Sequence, residues 1–298
     1  MNLKEMWGHA SILAQDPAML EARQAEYVAW CNIAQDVLGG LLLDVAAWRF
    51  EKTSTLATTI NVATATLPED FSEIVLLRYD SNNSAVLYQA NRIPLRDKGA
   101  LTSNTFYAAS NREPFYSLTG GTITLYPTPT VTTTAGLELT YRRKPSPLRL
   151  DRVKEDVVTT SAGNAGGTTL ISTTLTEVDD YWNECECELK SGSYIYQKRA
   201  VSDFTASSDT VTLANAFGGQ VAQTVTFSLF DVSILPSEYH YLLVYYAAAM
   251  ACAKLGKQDG FQKYMGLFGA GMEGIRAKYA QPVQDQLFEA ERPSKTNT

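Results

Sequence analysis

Residues 122–129, which read TITLYPTP, decide the fold class of this chain. Polar and apolar side chains alternate over residues 122–126, which is the two-residue period of a β-strand. Proline lacks the backbone N–H that a strand ladder needs, so residues 127–129 end the strand. The alternation resumes at residues 137–142 (LELTYR), which are expected to form the returning antiparallel strand. This stretch therefore predicts a small antiparallel sheet.

Upstream of this sheet the chain reads as one further strand and then as a long helix. Residues 74–79 (IVLLRY) are rich in branched and aromatic side chains and predict a strand. Residues 16–50 carry apolar side chains at steps of three and four, which predicts a helix with Asp16 as N-cap and Pro17 at its first position. The two glycines at 39–40 interrupt it, either as a kink, which we favour, or as a joint between two helices.

Downstream of the sheet the composition changes twice. The prolines of residues 145–147 (PSP) are followed by residues 157–232, which are rich in Thr, Ser, Gly and Val with short strands between turns. A helical period returns over residues 239–255 and stops at Gly256. Asp259 is expected to cap a last helix that ends near residue 279.

These patterns predict an α+β fold. Its N- and C-terminal helices, residues 1–52 and 233–281, are expected to pack together as a helical bundle. Residues 53–156 form a small antiparallel β domain between them, and residues 157–232 form an inserted all-β domain, a sandwich or a barrel. Residues 282–298 are a polar C-terminal tail.

The composition indicates a globular protein and disfavours several classes. The 298 residues include 25 Lys+Arg against 32 Asp+Glu, a net charge of −7. Proteins that coat nucleic acid neutralise phosphates with an excess of cations, so this balance disfavours that class. The N-terminus lacks a signal-peptide pattern, and the apolar run at residues 241–253 is shorter than the ~20 residues that span a bilayer, so we expect no membrane partner. Four cysteines without an evident pairing suit a reducing cytosol.

The sequence offers little catalytic chemistry, and we predict no catalytic, cofactor-binding or metal-binding residues. The motifs of serine hydrolases, zinc proteases and phosphate-binding loops are absent. His240 is expected to be a packed helix histidine, and Cys185 and Cys187 are expected to be buried on one face of a strand. Three glutamates alternate with these cysteines and predict a solvated acidic face. A spatial pair of catalytic carboxylates stays open, because such a pairing is not visible in sequence.

The glycines of the last helix and the main basic cluster can each be explained by the fold of the single chain or by contacts with other subunits. Four glycines fall inside the last helix, where each costs about 0.8–1.0 kcal/mol relative to alanine. They indicate close packing within the chain or contacts made on assembly, and they are Gly266, Gly269, Gly271 and Gly274. The main basic cluster is either a solvated strand end or a surface that pairs with acidic groups of a neighbouring subunit. Its members are Arg142, Arg143, Lys144, Arg149 and Arg152.

The order of several short motifs resembles the head–tail adaptor proteins of tailed bacteriophages, also called head-completion, gatekeeper or tail tubular protein A-like proteins. The motifs lie within residues 1–155 and 231–280, and residues 157–230 are an insertion relative to the family pattern. They are WCNIAQ at 30–35, LPEDF at 67–71, PFYSL at 114–118, GTITLYPTP at 121–129, LTYRRKP at 139–145, LPSEYH at 235–240 and YYAAA at 245–249, with Asp259, Lys263 and Tyr264 in the last helix. In this resemblance the strand at 139–145 is the partner of the hairpin before it.

The resemblance implies a virion structural protein without enzymatic activity or cofactors. It implies a ring of about twelve subunits under the portal, at the neck of a particle assembled in the host bacterial cytoplasm. Partners would be the portal protein and the tail, nozzle or other neck proteins, and genomic DNA would pass through the channel without sequence-specific binding. The expected portal or subunit interface comprises Arg142, Arg143 and Lys144, together with Leu287 and Phe288 in a tail that docks to the portal.

Two other functions remain open at this point. The chain could be a tail-associated or decoration protein whose inserted β domain binds host glycan or another virion protein. Exposed aromatic side chains would serve that role, although the same side chains could form the core of the insert. They are Tyr181, Trp182, Tyr194 and Tyr196. The third alternative is a hydrolase with two catalytic carboxylates.

Overall fold

The computed structural model describes residues 1–16, 21–84, 86–94 and 109–280. The chain divides into two compact units. The first unit comprises Met1–Leu41 and Pro145–Thr298, and the second comprises Leu42–Lys144.

The first helix is α1 (Leu3–Ala14), which lies in the predicted bundle region 1–52 but was not predicted as a separate helix. Its signal is a capping box, because the Asn2 side chain accepts a hydrogen bond from the Glu5 backbone N–H while the Glu5 carboxylate accepts one from the Asn2 backbone. The predicted long helix follows as α2 (Glu21–Ala46) and a 3₁₀ turn (Ala47–Phe50). Pro17, its expected first residue, lies outside the described residues.

The C-terminal helices are α3 (His240–Lys254) and α4 (Gln258–Ala280). α3 packs against both α1 and α4, which confirms that helices from the two ends of the chain form a bundle. Gly256, with φ +70°, ends α3 as expected. Asp259 lies inside the first turn of α4 rather than at its cap.

The second unit contains two four-stranded sheets. One has the order β1-β8-β3-β4 and the other the order β2-β7-β6-β5. The strands are β1 (Glu51–Thr58), β2 (Thr64–Thr66), β3 (Phe71–Tyr79), β4 (Tyr88–Gln89), β5 (Asn91–Arg92), β6 (Phe115–Thr119), β7 (Thr122–Tyr126) and β8 (Thr133–Arg143). Their inward side chains form one core that includes Leu77, Tyr79, Ile123, Leu125, Leu137, Leu139 and Tyr141.

The structure corrects the predicted pairing in this unit. The β6–β7 hairpin is present, but β8 pairs with β1 and β3 rather than returning along β7. One small antiparallel sheet was therefore the wrong description, and β5 even pairs with β6 in parallel. The physical reason lies at residues 127–132, where two prolines and a six-residue connection prevent a tight hairpin and allow the chain to reach the other sheet.

The region at 157–232, predicted to be all-β, contributes to a six-stranded sheet in the first unit, and the first strand of this sheet begins earlier, at Lys154. That this region is an insertion relative to the family stays a prediction. The order of the sheet is β10-β13-β12-β11-β14-β9, with every pair antiparallel. The strands are β9 (Lys154–Val158), β10 (Thr169–Ile171), β11 (Glu186–Leu189), β12 (Lys198–Thr205), β13 (Thr210–Leu213) and β14 (Thr226–Phe230). A bridge from Ser161 to Ile171 joins the segment after β9 to the opposite edge, so the sheet curls towards a barrel.

The helices and the inserted sheet belong to the same compact unit. The finer division made from sequence, a helical bundle at 1–52 and 233–281 with separate β domains at 53–156 and 157–232, stays a prediction. The predicted tail at 282–298 lies outside the described residues.

Candidate functional site

The described residues contain no group of three or more His, Cys, Asp or Glu side chains that could hold a metal ion. All four cysteines are free thiols in buried positions. Burial raises the pKa of Cys31 to about 12 and that of Cys185 to about 12, so these thiols stay protonated at neutral pH and are poor nucleophiles. Cys185 and Cys187 belong to the core of the inserted sheet, as predicted.

His240 is a buried helix histidine, as the sequence indicates. Its Nδ1 lies 3.0 Å from the Met1 carbonyl oxygen, and its Nε2 lies 2.7 Å from the Leu235 carbonyl oxygen. Burial lowers the pKa of this imidazole. Because both ring nitrogens face carbonyl groups of the same chain, His240 ties the N-terminus to the start of α3.

The acidic strand face is occupied by ion pairs and is not simply solvated. Lys198 pairs with Glu186 at 3.1 Å, and Lys190 pairs with Glu188 at 2.9 Å. Glu186 also accepts a hydrogen bond from the Asn2 side chain at 2.7 Å. The prediction of a solvated face was wrong because Lys198 on the neighbouring strand β12 and Asn2, the N-cap of α1, supply donors that the sequence around β11 does not reveal.

The basic cluster is distributed over both units. Arg142 lies on β8 and pairs with Glu73 on β3 at 2.6 Å. Arg143 ends the same strand, and Lys144 follows it. Arg149 belongs to the other unit and pairs with Asp151 at 2.5 Å. Arg142, Arg143 and Lys144 as an interface with a portal or a subunit therefore stay a prediction. Leu287 and Phe288, the other predicted interface residues, lie outside the described residues.

The motif at residues 30–35 binds the segment that follows β8. Asn32 makes two hydrogen bonds to Leu148, donating to its carbonyl at 3.0 Å and accepting from its N–H at 2.7 Å. The Gln35 amide donates to the Ser146 carbonyl at 2.7 Å. Gln35 is fully buried and Asn32 partly so, and both side chains satisfy backbone groups of the segment at 146–148.

A glycine of α2 completes this contact. A Cβ at Gly39 would lie 2.6 Å from Cγ of Pro145, so the proline ring occupies the space of a side chain. Gly40 has nothing within 4 Å of such an atom. α2 runs without a break through both residues, which excludes the joint between two helices and gives Gly39 a packing role.

Asp231 anchors the root of the inserted sheet. Its carboxylate, almost fully buried, accepts a hydrogen bond from the Arg149 backbone N–H at 2.8 Å and pairs with Arg152 at 3.1 Å. Its own carbonyl accepts from the Leu3 N–H at 2.8 Å. Burial raises the pKa of Asp231, although the Arg152 guanidinium acts in the opposite direction. One residue thus fixes the entrance to the insert, its exit and the start of α1.

Further polar contacts hold the inserted sheet to α1. Lys198 on β12 hydrogen-bonds to Glu5, and Lys4 pairs with Glu155 on β9. Burial acts to raise the pKa of Glu5, but the hydrogen bonds from Lys198 and the backbone outweigh it and the pKa is lowered. The insert is therefore bound to the helices at several points within the first unit and is not attached only by its two chain ends.

The four aromatic side chains considered for recognition divide between core and surface. Trp182 is fully buried, and Tyr181 and Tyr194 pack against the core of the insert. Tyr196 is 72% exposed and has a left-handed backbone with φ +64°, a conformation that is rare for an aromatic residue. Among these four, Tyr196 is the one that the fold presents to solvent.

α2 carries an apolar surface as well as a packed one. Ile33 and Val37 are each 46% exposed and lie on the face opposite the packed residues. By length and composition the segment Arg23–Phe50 could cross a membrane, and 39% of its most apolar window is buried in the fold. This segment is longer than the apolar run at 241–253 on which the expectation of no membrane partner rests, so that expectation stays a prediction.

Comparison with known protein families shows which family the chain matches. A family model described as SU10 adaptor protein matches residues 1–161, which is more than half of the 298-residue chain. The matched region contains α1, α2, the whole second unit and β9, and it ends inside the inserted sheet. No curated protein matches the chain.

Proposed function

The chain belongs to the SU10 adaptor protein family of bacteriophage structural proteins, and from that premise we propose that it is a head-to-tail adaptor. In this role it docks under the portal as a ring and connects the DNA-filled capsid to the tail. The observation that carries the proposal is the family match over residues 1–161. It coincides with the part of the chain that holds the motif at 30–35 and both sheets of the second unit.

Polar contacts within the first unit support an adaptor role. The segment after β8 is fixed to α2 by Asn32 and Gln35, and the root of the insert is fixed by Asp231. An adaptor transmits the position of one ring to the next, so fixed joints suit it better than flexible linkers.

The charge balance suits a DNA channel. With a net charge of −7, a ring of these chains carries an excess of negative charge. Such an excess repels the phosphates of passing DNA and disfavours its retention. Genomic DNA is thus proposed to pass through the ring without sequence-specific binding, in a neck assembled in the host cytoplasm. The ring size we propose, by resemblance, is about twelve, with heterologous contacts between subunits.

The proposed portal contact uses the tail at 282–298, with Leu287 and Phe288 as apolar anchors. Portal rings from the same source, mixed with the full chain, should gain mass in defined steps by mass photometry. A chain ending at residue 281 should fold equally well and bind at least tenfold more weakly, as expected when two apolar anchors of an interface are removed. Unchanged binding by the shortened chain would exclude the tail as the portal anchor.

A second function has one observation in its favour. Tyr196 and Ile195 are exposed at the turn between β11 and β12, where an aromatic side chain can anchor a glycan or a protein. In this alternative the inserted sheet decorates the particle or recognises the host. Tyr196→Ser should abolish that recognition and leave portal binding unchanged, which separates the two functions.

A further inference from the structure

Part of the apolar surface of α2 is not covered by the described residues of the chain. Ile33 and Val37 lie on one face with Ala25, Ala29 and Gly40, and all five are exposed. An apolar stripe on a helix normally marks a side that packs against another element. The described part of the chain buries only the other faces of this helix, so the Ile33–Val37 face, defined by these five residues, is unpartnered.

A bilayer is a poor cover for this face. Asp36 lies on the same face and is exposed, and a carboxylate is expensive in hydrocarbon. The amides of Asn32 and Gln35 already bind the segment at 146–148, which fixes α2 to a folded protein. These contacts favour a protein surface with a complementary charge.

The chain itself presents such a surface on α4. Lys263, Gly266, Ala270 and Gly274 share one exposed side of the helix, spaced by three or four residues, and with Ala277 they define the Gly266–Gly274 face. A Cβ at Gly266 or at Gly274 would meet nothing within 4 Å. Neither glycine is therefore explained by packing within the described chain, in contrast to Gly271, where a Cβ would lie 2.2 Å from Cδ2 of Leu242.

The two faces are complementary in shape and in charge. Ile33 and Val37 project from α2, and the residues of the α4 face other than Lys263 are glycine and alanine, which permits close approach of the two helices. Asp36 beside the first face and Lys263 on the second form no ion pair within the described residues. With Asp36 opposite Lys263, an antiparallel arrangement brings Ile33 to Gly266 and Ala29 to Ala270.

We propose that the Ile33–Val37 face of α2 binds the Gly266–Gly274 face of α4 in a second copy of this chain. A second copy is inferred as the partner because the two faces have complementary charges and because Gly266 and Gly274 have free space around them. The ring geometry of this inference rests on the proposed adaptor function. Because the two faces differ, each copy uses α2 towards one neighbour and α4 towards the other. Such heterologous contacts close into a ring when the rotation between copies allows it.

Cysteine cross-linking tests the register directly. A chain carrying Ala29→Cys is mixed with a chain carrying Ala270→Cys, with and without portal rings, under mild oxidation. The four native cysteines are buried, so a covalent dimer reports the engineered pair. The control partner carries Arg276→Cys, which is exposed on α4 but about a third of a turn from Ala270. The proposal requires a dimer with Ala270→Cys at least tenfold above this control, whereas equal yields would overturn it.

Charge reversal tests the proposed ion pair by sedimentation velocity of the full chain. Asp36→Lys and Lys263→Asp should each weaken self-association by about fivefold, since exposed pairs contribute modestly. The chain with both changes should regain the wild-type behaviour, because every interface then carries a reversed pair. Ile33→Asp should abolish self-association, and Val178→Asp, at a residue 73% exposed on the insert, should not.

The failures of this inference and of the proposed function are distinguishable. Portal binding with cross-links at the control level would retain the adaptor and overturn the interface. Cross-links without portal binding would retain the interface and remove the adaptor. A monomer at all concentrations that binds lipid vesicles through Ile33 would assign the α2 face to a membrane and overturn the proposal.

Discussion

Pro145 packs against Gly39 so closely that a Cβ on residue 39 would lie 2.6 Å from its Cγ. This contact joins the middle of α2 to the residue that follows the second unit in the chain. Asn32 and Gln35 bind the next residues of the same segment, so one stretch of α2 determines where the chain goes after β8.

Gly39→Ala is therefore expected to destabilise the chain. The new methyl group forces either the proline ring or the helix to move, and overpacking of this kind costs about 1–3 kcal/mol. Gly40→Ala is the matched control, because its Cβ meets nothing within 4 Å and the change should add up to about 1 kcal/mol through helix propensity. Urea unfolding of both variants measures the difference, and equal stabilities would contradict the packing role of Gly39.

Asn32→Ala should destabilise the same joint by about 1–3 kcal/mol, because it leaves the N–H and the carbonyl of Leu148 without their partner. Asn32→Asp should restore the acceptor but not the donor. Its stability should therefore lie between those of the wild-type chain and Asn32→Ala. Gln24→Ala, on the same helix and outside this joint, serves as control. Retention of full stability by Asn32→Ala would show that water replaces both bonds.

Asp231→Ala should be among the most damaging single changes. It leaves the largely buried Arg152 guanidinium with the Asn183 carbonyl but without its carboxylate, and the loss should approach the value typical of a broken buried ion pair, about 3–5 kcal/mol. Glu155→Gln is the contrasting variant, because its pair with Lys4 is largely exposed and contributes less than about 1 kcal/mol. Limited proteolysis should then cut Asp231→Ala at residues 149–153 and leave Glu155→Gln intact. Equal protease resistance would contradict the anchor role.

Stability should depend on pH through His240. Burial lowers the pKa of the folded imidazole below the ordinary value of 6.5, so the unfolded chain binds this proton more readily. The free energy of unfolding should therefore fall as the pH decreases through about 6.5, and the fall should end below the pKa of the folded state. His240→Gln should remove this part of the dependence, whereas His9→Gln, at an exposed position of α1, should retain it.

Alanine substitutions at two glycines of α4 should affect the stability of the chain and its self-association differently. Gly266→Ala has room for its methyl group and should stabilise the single chain by up to about 1 kcal/mol while weakening self-association. Gly271→Ala should instead destabilise the chain, because its Cβ meets Leu242. Thermal unfolding and sedimentation of the two variants give the comparison. Stronger self-association of Gly266→Ala would contradict the proposed interface.

Local patterns predicted the elements of this fold better than their partners. The alternation at residues 122–126 and 137–142 located both strands, yet β8 joins β1 and β3, because alternation specifies a buried face and not the strand beside it. α1 was not predicted as a helix, although the spacing of Asn2 and Glu5 in the sequence is that of a capping box. The helix is only twelve residues long, so it offers few turns for an apolar period to show.

Local sequence patterns likewise did not predict the contacts of the candidate site residues. The motif at residues 30–35 was identified as part of a family pattern, but its role depends on a segment more than a hundred residues away. Nothing local in the sequence pairs Asn32 with Leu148 or Asp231 with Arg152. From the sequence, Trp182 could be either a core or a surface residue, and the structure shows that it is fully buried. Long-range contacts, and not residue types, decide each of these roles.

The most direct test of the adaptor function is electron microscopy of portal rings from the same source, imaged alone and after incubation with the full chain. The account predicts an additional ring of this chain, coaxial with the portal and seated on one of its faces, with the inserted sheet visible on each subunit. Portal rings that stay unchanged in the presence of the intact, folded chain would contradict it.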